Sequence, residues 1–144
     1  MIVFCDTSVL VAACIRKHPH YERARPVLEA IVTGQDKGMI SSHSLAEAYS
    51  ALTQVPVTPR ILPSQAMSIV TTNIRRHFEL VAVTAEMYDL AIKSCTDCGL
   101  IGGKVYDALL LECARRSNAD RIYTFNLKDF RQLAPDLAVR ISAP

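Results

Sequence analysis

Tryptophan is absent from this chain of 144 residues, and four phenylalanines and five tyrosines are its whole stock of benzenoid rings. Stacking of nucleobases on aromatic rings is therefore expected to be a minor source of affinity for any nucleic acid. An excess of one charge is also missing. Sixteen basic and fourteen acidic residues leave a formal charge of +2, so bulk charge neither demands nor excludes a polyanion, and any basic patch must be local. The longest uninterrupted apolar run, Val9–Ile15, falls far short of the roughly 20 residues that cross a bilayer. No basic leader precedes the first apolar segment, and the expectation is a soluble cytoplasmic protein. The five cysteines, Cys5, Cys14, Cys95, Cys98 and Cys113, are odd in number and sit mostly among apolar neighbours. Reduced thiols packed as small hydrophobes are expected, not a disulfide framework. Internal repeats and low-complexity stretches are lacking as well.

Half of the residues are apolar, enough to bury a core the size of one domain spanning residues 1–144. Apolar runs of strand length occur at Ile2–Cys5, Met39–Ile40, Leu80–Val83, Arg121–Tyr123 and Ala138–Ile141. Between them lie helix-length stretches at Ser8–Cys14, His20–Val32, His43–Leu52, Ser64–Phe78, Thr84–Cys95 and Val105–Arg116. This alternation predicts an α/β fold, a parallel sheet covered on both faces. Pro26 predicts a kink or break in the second helix. The stretch Pro56–Pro63 holds three of the seven prolines and reads as an extended connector between two helices.

Several acidic residues fall where solvation does not explain them. Asp89, four residues before Lys93, and Glu112, beside Arg115 and Arg116, read as surface pairs. Asp107 differs, because Asp107, Leu110, Leu111 and Ala114 follow the i, i+3, i+4, i+7 rule and put the carboxylate in line with a buried stripe. A first-turn carboxylate also complements the helix dipole, which accounts for its position along the axis but not its face. Glu47 closes a possible capping box begun at Ser44. Yet the bulky stripe of that helix is Leu45, Ala48, Tyr49 and Leu52, which leaves Glu47 among the small residues Ala46, Ser50 and Ala51. Asp6 follows the first strand, at the carboxyl end where the crevice of an open parallel sheet binds ligands; a cap on the following helix by Asp6 or Thr7 is the local alternative. Asn126 stands at the corresponding end of the strand Arg121–Tyr123, and Asp129 is either a member of the same site or part of a turn capped by Asn126. Brought together, these carboxylates would repel one another, and a hard divalent cation, Mg²⁺ or Mn²⁺ and not zinc, would relieve them.

Lesser signals have structural explanations. Cys95 and Cys98 form a C-x-x-C with no second pair, so packing is preferred to zinc or redox chemistry. His18 and His20 flank Pro19 in what reads as an exposed loop before a helix.

The stretches VFCDTSVLVAA, ISSHSLAEAYSAL around Glu47, GGKVYDALLLECA around Asp107 and RIYTFNLKDF, in this order over almost the whole chain, resemble the PIN domain, and within it the VapC-type toxin ribonucleases of toxin–antitoxin pairs. The resemblance implies a three-layer α/β/α fold with a five-stranded parallel sheet and an acidic metal site at the carboxyl ends of the strands. Asp6, Glu47 and Asp107 match the three central acids of the family; Ser8 and Thr124 match small polar positions that support the site. The fourth acid of the family often falls where this chain has Asn126, a departure that leaves Asp129 to supply the missing carboxylate or the second metal weakly held.

The implied activity is Mg²⁺- or Mn²⁺-dependent endonucleolytic hydrolysis of a transfer, ribosomal or messenger RNA. Asp6 and Asp107 would hold the metal, Glu47 would share it or orient the attacking water, and Asn126 with Asp129 would complete the cluster. The implied partners are a cognate small antitoxin and a second copy of the chain in a homodimer. Candidate phosphate contacts are Lys104, Lys128 and Arg131, with Arg16, Lys17, Arg75 and Arg76 further possibilities. The rival reading is a PIN-fold interaction protein with weak or lost activity, kept open by Asn126. An aspartyl-nucleophile phosphatase is disfavoured, since it expects a second acid where this chain has Ser8.

Overall fold

The computed structural model describes residues 1–144. Five strands, β1 (Ile2–Cys5), β2 (Lys37–Ser41), β3 (Phe78–Val81), β4 (Arg121–Tyr123) and β5 (Ile141–Ser142), form one sheet in the order β3-β2-β1-β4-β5. All four pairings are parallel. The helices are α1 (Thr7–Cys14), α2 (Tyr21–Val32), α3 (His43–Gln54), α4 (Pro63–Ile69), α5 (Ala85–Cys98), α6 (Lys104–Ser117) and α7 (Leu127–Leu133). None is long and apolar enough to cross a membrane.

The period-two alternation of side chains along a strand makes the three layers. Val3 and Cys5 face a core shared with α1, α2, α3 and α4, where Leu10, Leu28, Ala48, Leu52 and Ala66 are buried. Phe4 and Ile122 point the other way, against Met87, Leu109, Leu110 and Phe130 of α5, α6 and α7. Chain connections thus pass over one face between β1 and β3 and over the other between β3 and β5. The strand order reverses between β1 and β4, and in open α/β sheets the carboxyl ends at such a switch point form a crevice. One backbone position is crowded: a Cβ on Gly38 of β2 would lie 2.7 Å from both Ile31 Cγ2 and Phe78 Cδ1.

Several local expectations are corrected. Helix α2 runs unbroken through Pro26; one amide bond is lost, but Pro26 and Glu22, the residue it would have bonded, are exposed, so the freed carbonyl is not left in an apolar interior. The stretch expected as one helix over Ser64–Phe78 is α4 followed by a π-helical segment, Val70–Arg75, and Phe78 already belongs to β3. The last strand is shorter than expected, because turn bonds from Arg140 N to Leu137 O (2.8 Å) and from Ile141 N to Ala138 O (3.3 Å) hold residues 138–139 out of the sheet, which Arg140 meets only through its carbonyl, accepting from Ile122 N at 2.8 Å. Helix α7 was not anticipated; its signal was the i, i+3 pair Phe130 and Leu133, both buried. Lys93 pairs with Asp97 at 2.7 Å, not with Asp89. Glu112 is buried, and Arg115 bridges it at 2.9 Å to Asp136 at 2.7 Å, fastening α6 to the 3-10 turn Pro135–Leu137. All five cysteines are free thiols.

Candidate active site

A cleft of about 610 Å³ opens at the switch point, walled by Asp6, Thr7, Ser8, Glu47, Asp107 and Asn126 on its polar side and by His18, Pro19, His20 and Phe125 on another. Four separate segments meet there. Asp6 leaves β1, Glu47 stands on the second turn of α3, Asp107 on the first turn of α6, and Asn126 follows β4.

Asp6 occupies the N-cap position of α1, yet its carboxylate makes no capping hydrogen bond. Instead Ser8 Oγ donates to Asp6 Oδ2 at 2.6 Å and Thr124 Oγ1 donates to the same oxygen at 2.8 Å. The backbone keeps Asp6 in the sheet, its amide donating to Tyr123 O at 2.9 Å. Burial pushes the Asp6 carboxyl above the usual range, and the two hydroxyls oppose that shift. Thr124 is itself fully buried and accepts the backbone N–H of Asn126 at 2.9 Å, so one hydroxyl positions two site residues.

The capping box expected for Glu47 does not form: Ser44 Oγ is buried without a partner, and Glu47 Oε1 instead accepts from Thr7 Oγ1 at 3.2 Å. His43 Nε2 lies 3.9 Å from the same oxygen. Burial, and after it the charge of Asp6, raise the Glu47 carboxyl, with the Thr7 hydroxyl opposing. The small neighbours Ala46, Ser50 and Ala51 border a second groove of about 400 Å³ that shares Glu47 and Ala51 with the main cleft. Tyr49, expected in the buried stripe of α3, is 42% exposed.

Leu110, Leu111 and Ala114 are buried as the stripe predicts, and the Asp107 carboxylate at its head faces the cleft. Burial first, then the charges of Asp6 and Asp129, push the Asp107 carboxyl up to about 6. Asn126 Nδ2 donates to Asp107 Oδ2 at 2.7 Å and to Asp129 Oδ2 at 2.9 Å. Asp129 is buried behind Asn126, outside the walls of the cleft, and forms an ion pair with Lys104. That contact, followed by the Asn126 amide, holds the Asp129 carboxyl below the usual range.

The other cations divide. Lys128 is exposed on α7 next to Asp129. Arg131 spends one N–H on Ile141 O at 3.1 Å. Lys17 donates to Thr58 O at 2.7 Å, and with Arg16 it lines a separate depression. Arg75 and Arg76 come just before β3, at the amino ends of the strands and so away from the acids. His18 and His20, expected as exposed loop residues, are half-buried in the cleft wall. Sequence reasoning missed Thr7, His43, Tyr106 and Phe125. Thr7 and Tyr106 adjoin a motif acid, His43 lies one helical turn from Glu47 and Phe125 adjoins Asn126, but none has a residue type that announces a role.

The donor chemistry fits a hard divalent cation: Asp6, Glu47 and Asp107 present only oxygen ligands to one cleft, where burial first and their mutual repulsion after it raise Asp107 and Glu47. The side chains do not form a ready cage, since no three acidic, histidine or cysteine groups converge at ligand distances.

The PIN domain family model matches residues 3–135. Ribonuclease VapC40 of Mycobacterium tuberculosis is 32% identical over 124 residues, 79% of each chain. The structure of VapBC2 from Rickettsia felis, bound to a DNA fragment from its promoter, superposes with a TM-score of 0.65 at 25% identity over 92% of both chains. The fold is also that of Mycobacterium tuberculosis VapC20, a Sarcin-Ricin loop cleaving toxin, with a TM-score of 0.70 at 17% identity over 88% of this chain and 92% of that one. With its acids drawn to the switch point of a five-stranded parallel sheet, this chain belongs to the PIN domain family and is of the VapC type.

Proposed function

We propose that the protein is a divalent-metal-dependent endoribonuclease, the toxin of a VapBC-type pair acting in the cytoplasm. The observation that carries the reading is the convergence of Asp6, Glu47 and Asp107 from three distant segments on one open cleft, with Asp107 raised to about 6. Kinship to Ribonuclease VapC40 supports the choice of RNA as substrate. Asp6, Asp107 and Glu47 would hold Mg²⁺ or Mn²⁺. Bound there, such an ion supplies charge neutralisation at the phosphate and an acidified water for the attack. The chain's own groups orient the ligands: Ser8 and Thr124 fix Asp6, Thr7 fixes Glu47, and Asn126 fixes Asp107. Lys104, ion-paired with Asp129, and the exposed Lys128 next to that aspartate in the chain would offer positive charge to the incoming backbone. The partners under this reading are the RNA, a cognate small antitoxin and a second copy of the chain.

The test is cleavage of RNA by purified protein in Mg²⁺, Mn²⁺ and EDTA, beside Asp6→Asn. Cleavage that needs the cation and is lost in the variant is expected. An Asp6→Asn protein as active as the parent would end the assignment. A parent that leaves RNA intact and binds Mn²⁺ no better than Asp107→Asn would favour an interaction protein.

A further inference from the structure

Asp129 stands behind the acids of the cleft and is covered by a cation. Its Oδ2 atom accepts from Lys104 Nζ and, at 2.9 Å, from Asn126 Nδ2. The ion pair joins two helix starts: Lys104 is the first residue of α6, one turn before Asp107, and Asp129 lies in the first turn of α7. Asp129 is buried whereas the Lys104 side chain is 42% exposed, so the lysine reaches in from the surface to the carboxylate. Its charge also acts on Asp107, opposing burial and the charges of Asp6 and Asp129 there.

Hydrogen bonds divide the oxygens of the cleft acids. Asp6 Oδ2 accepts from Ser8 and Thr124, Glu47 Oε1 from Thr7, and Asp107 Oδ2 from Asn126. The other oxygen of each is left over, a set that suits one small cation completed by water. Two cations about 3.5–4 Å apart, as in two-metal nucleases, need more. One carboxylate must bridge them through both of its oxygens, and the second ion needs an anionic ligand of its own. Besides Asp6 and Glu47, the acid whose charge reaches Asp107 is Asp129, and an ammonium already covers it. Asn126, between the two aspartates, turns its amide nitrogen to both and not its oxygen, which is how an amide binds anions and not a metal.

We propose that Lys104 takes the place of a second metal ion, so that the protein binds a single divalent cation, at Asp6, Glu47 and Asp107, with the Lys104 ammonium as the fixed positive charge beside it. The inference rests on the divalent-metal reading and adds to it the number of ions and the residue that sets that number. An ammonium is a compact point charge on a flexible stem. It neutralises a carboxylate without demanding a coordination shell, so Asp129 can stay buried behind Asn126, where a hydrated ion would have no room for its water ligands.

The experiment counts Mn²⁺ ions on the full-length protein in the absence of RNA. Calorimetric titration gives the stoichiometry, and electron paramagnetic resonance at saturation tells an isolated ion from an exchange-coupled pair. The parent should bind one Mn²⁺ and give the spectrum of an isolated ion, which tests the proposal without any substitution. Lys104→Met keeps the length of the stem and removes its charge. It uncovers Asp129 and lets the Asn126 amide turn its oxygen toward a metal, so the count should rise to two, with coupling between the ions. Lys104→Arg, which keeps the charge, should stay at one. The partly exposed position at a helix start should let both variants fold, and thermal melts of the metal-free proteins check that. A parent that binds two coupled ions overturns the proposal and leaves the divalent-metal reading standing. A folded Lys104→Met protein that still binds one ion does the same. A parent that binds no Mn²⁺ overturns both.

Discussion

Asn126 donates its side-chain amide to Asp107 Oδ2 at 2.7 Å, so the residue standing where the family resemblance leads to the expectation of a fourth acid serves as a clamp on one. The same nitrogen reaches Asp129 Oδ2 at 2.9 Å. In this orientation Asn126 turns donors, not its oxygen, toward the carboxylates.

Replacing that amide by a carboxylate should therefore act in opposite directions with and without metal. Asn126→Asp removes two charge-assisted hydrogen bonds and adds a repelling charge, so the metal-free protein should lose about 1–3 kcal/mol of stability. Its affinity for Mn²⁺ should rise about tenfold, or ~1.4 kcal/mol. Thermal melts and calorimetric titration in parallel check both; a variant that binds Mn²⁺ no better than the parent would show that the missing acid is not what limits the site.

Asp107 makes stability depend on pH. Its carboxyl titrates at about 6 in the folded protein against an ordinary 3.8. Below the lower value both states are protonated and the shift contributes nothing. Between the two, the folded state keeps a proton that the unfolded chain has released, so stability falls as pH rises, and above about 6 the loss is complete. Asp107→Asn should match the parent near pH 3.5 and exceed it by about 1–2 kcal/mol at pH 7.5, the full shift being discounted for partial exposure. Denaturant melts across that range decide it. Affinity for Mn²⁺ should climb over the same interval, because a ligand must give up its proton.

Thr124→Val removes the buried hydroxyl that donates to Asp6 and accepts from the backbone N–H of Asn126. With the shape conserved, the cost is the loss of those bonds, about 1–3 kcal/mol. It should be larger at pH 8 than at pH 4, since the charged form of Asp6 suffers most. Equal destabilisation at both pH values in urea melts would refute a role for Thr124 in holding the Asp6 charge.

Gly38→Ala tests the close approach of α2 and β3 across β2. The new methyl meets Ile31 and Phe78 at 2.7 Å, so an overpacking cost of about 1–3 kcal/mol is expected, with RNA cleavage at permissive temperature unaffected. A melting temperature equal to the parent's would show that the two side chains repack freely.

The layered α/β architecture was legible in the sequence because alternation of short apolar runs with amphipathic stretches is a local property, and a stripe such as Asp107, Leu110, Leu111 and Ala114 marks its own anomaly. Asp6, Glu47, Asp107 and Asn126 were marked in the same way, each by an acid or amide at a strand end or on a helix face. Local pattern could not separate a capping glutamate from a site glutamate: Ser44 and Glu47 have the right spacing for a box, but the pull of Thr7 from a distant strand end decides where that carboxylate goes. Nor could it show that Glu112 is buried under an arginine bridge, or that Asn126 clamps Asp107 while Asp129 withdraws to Lys104. His20 against Phe125 and His43 against Tyr106 were out of reach for the same reason. Period and composition act over a few residues, whereas hydrogen bonds, ring stacks and shared burial join segments a hundred residues apart, and only the strand order that brings β1 beside β4 makes them neighbours.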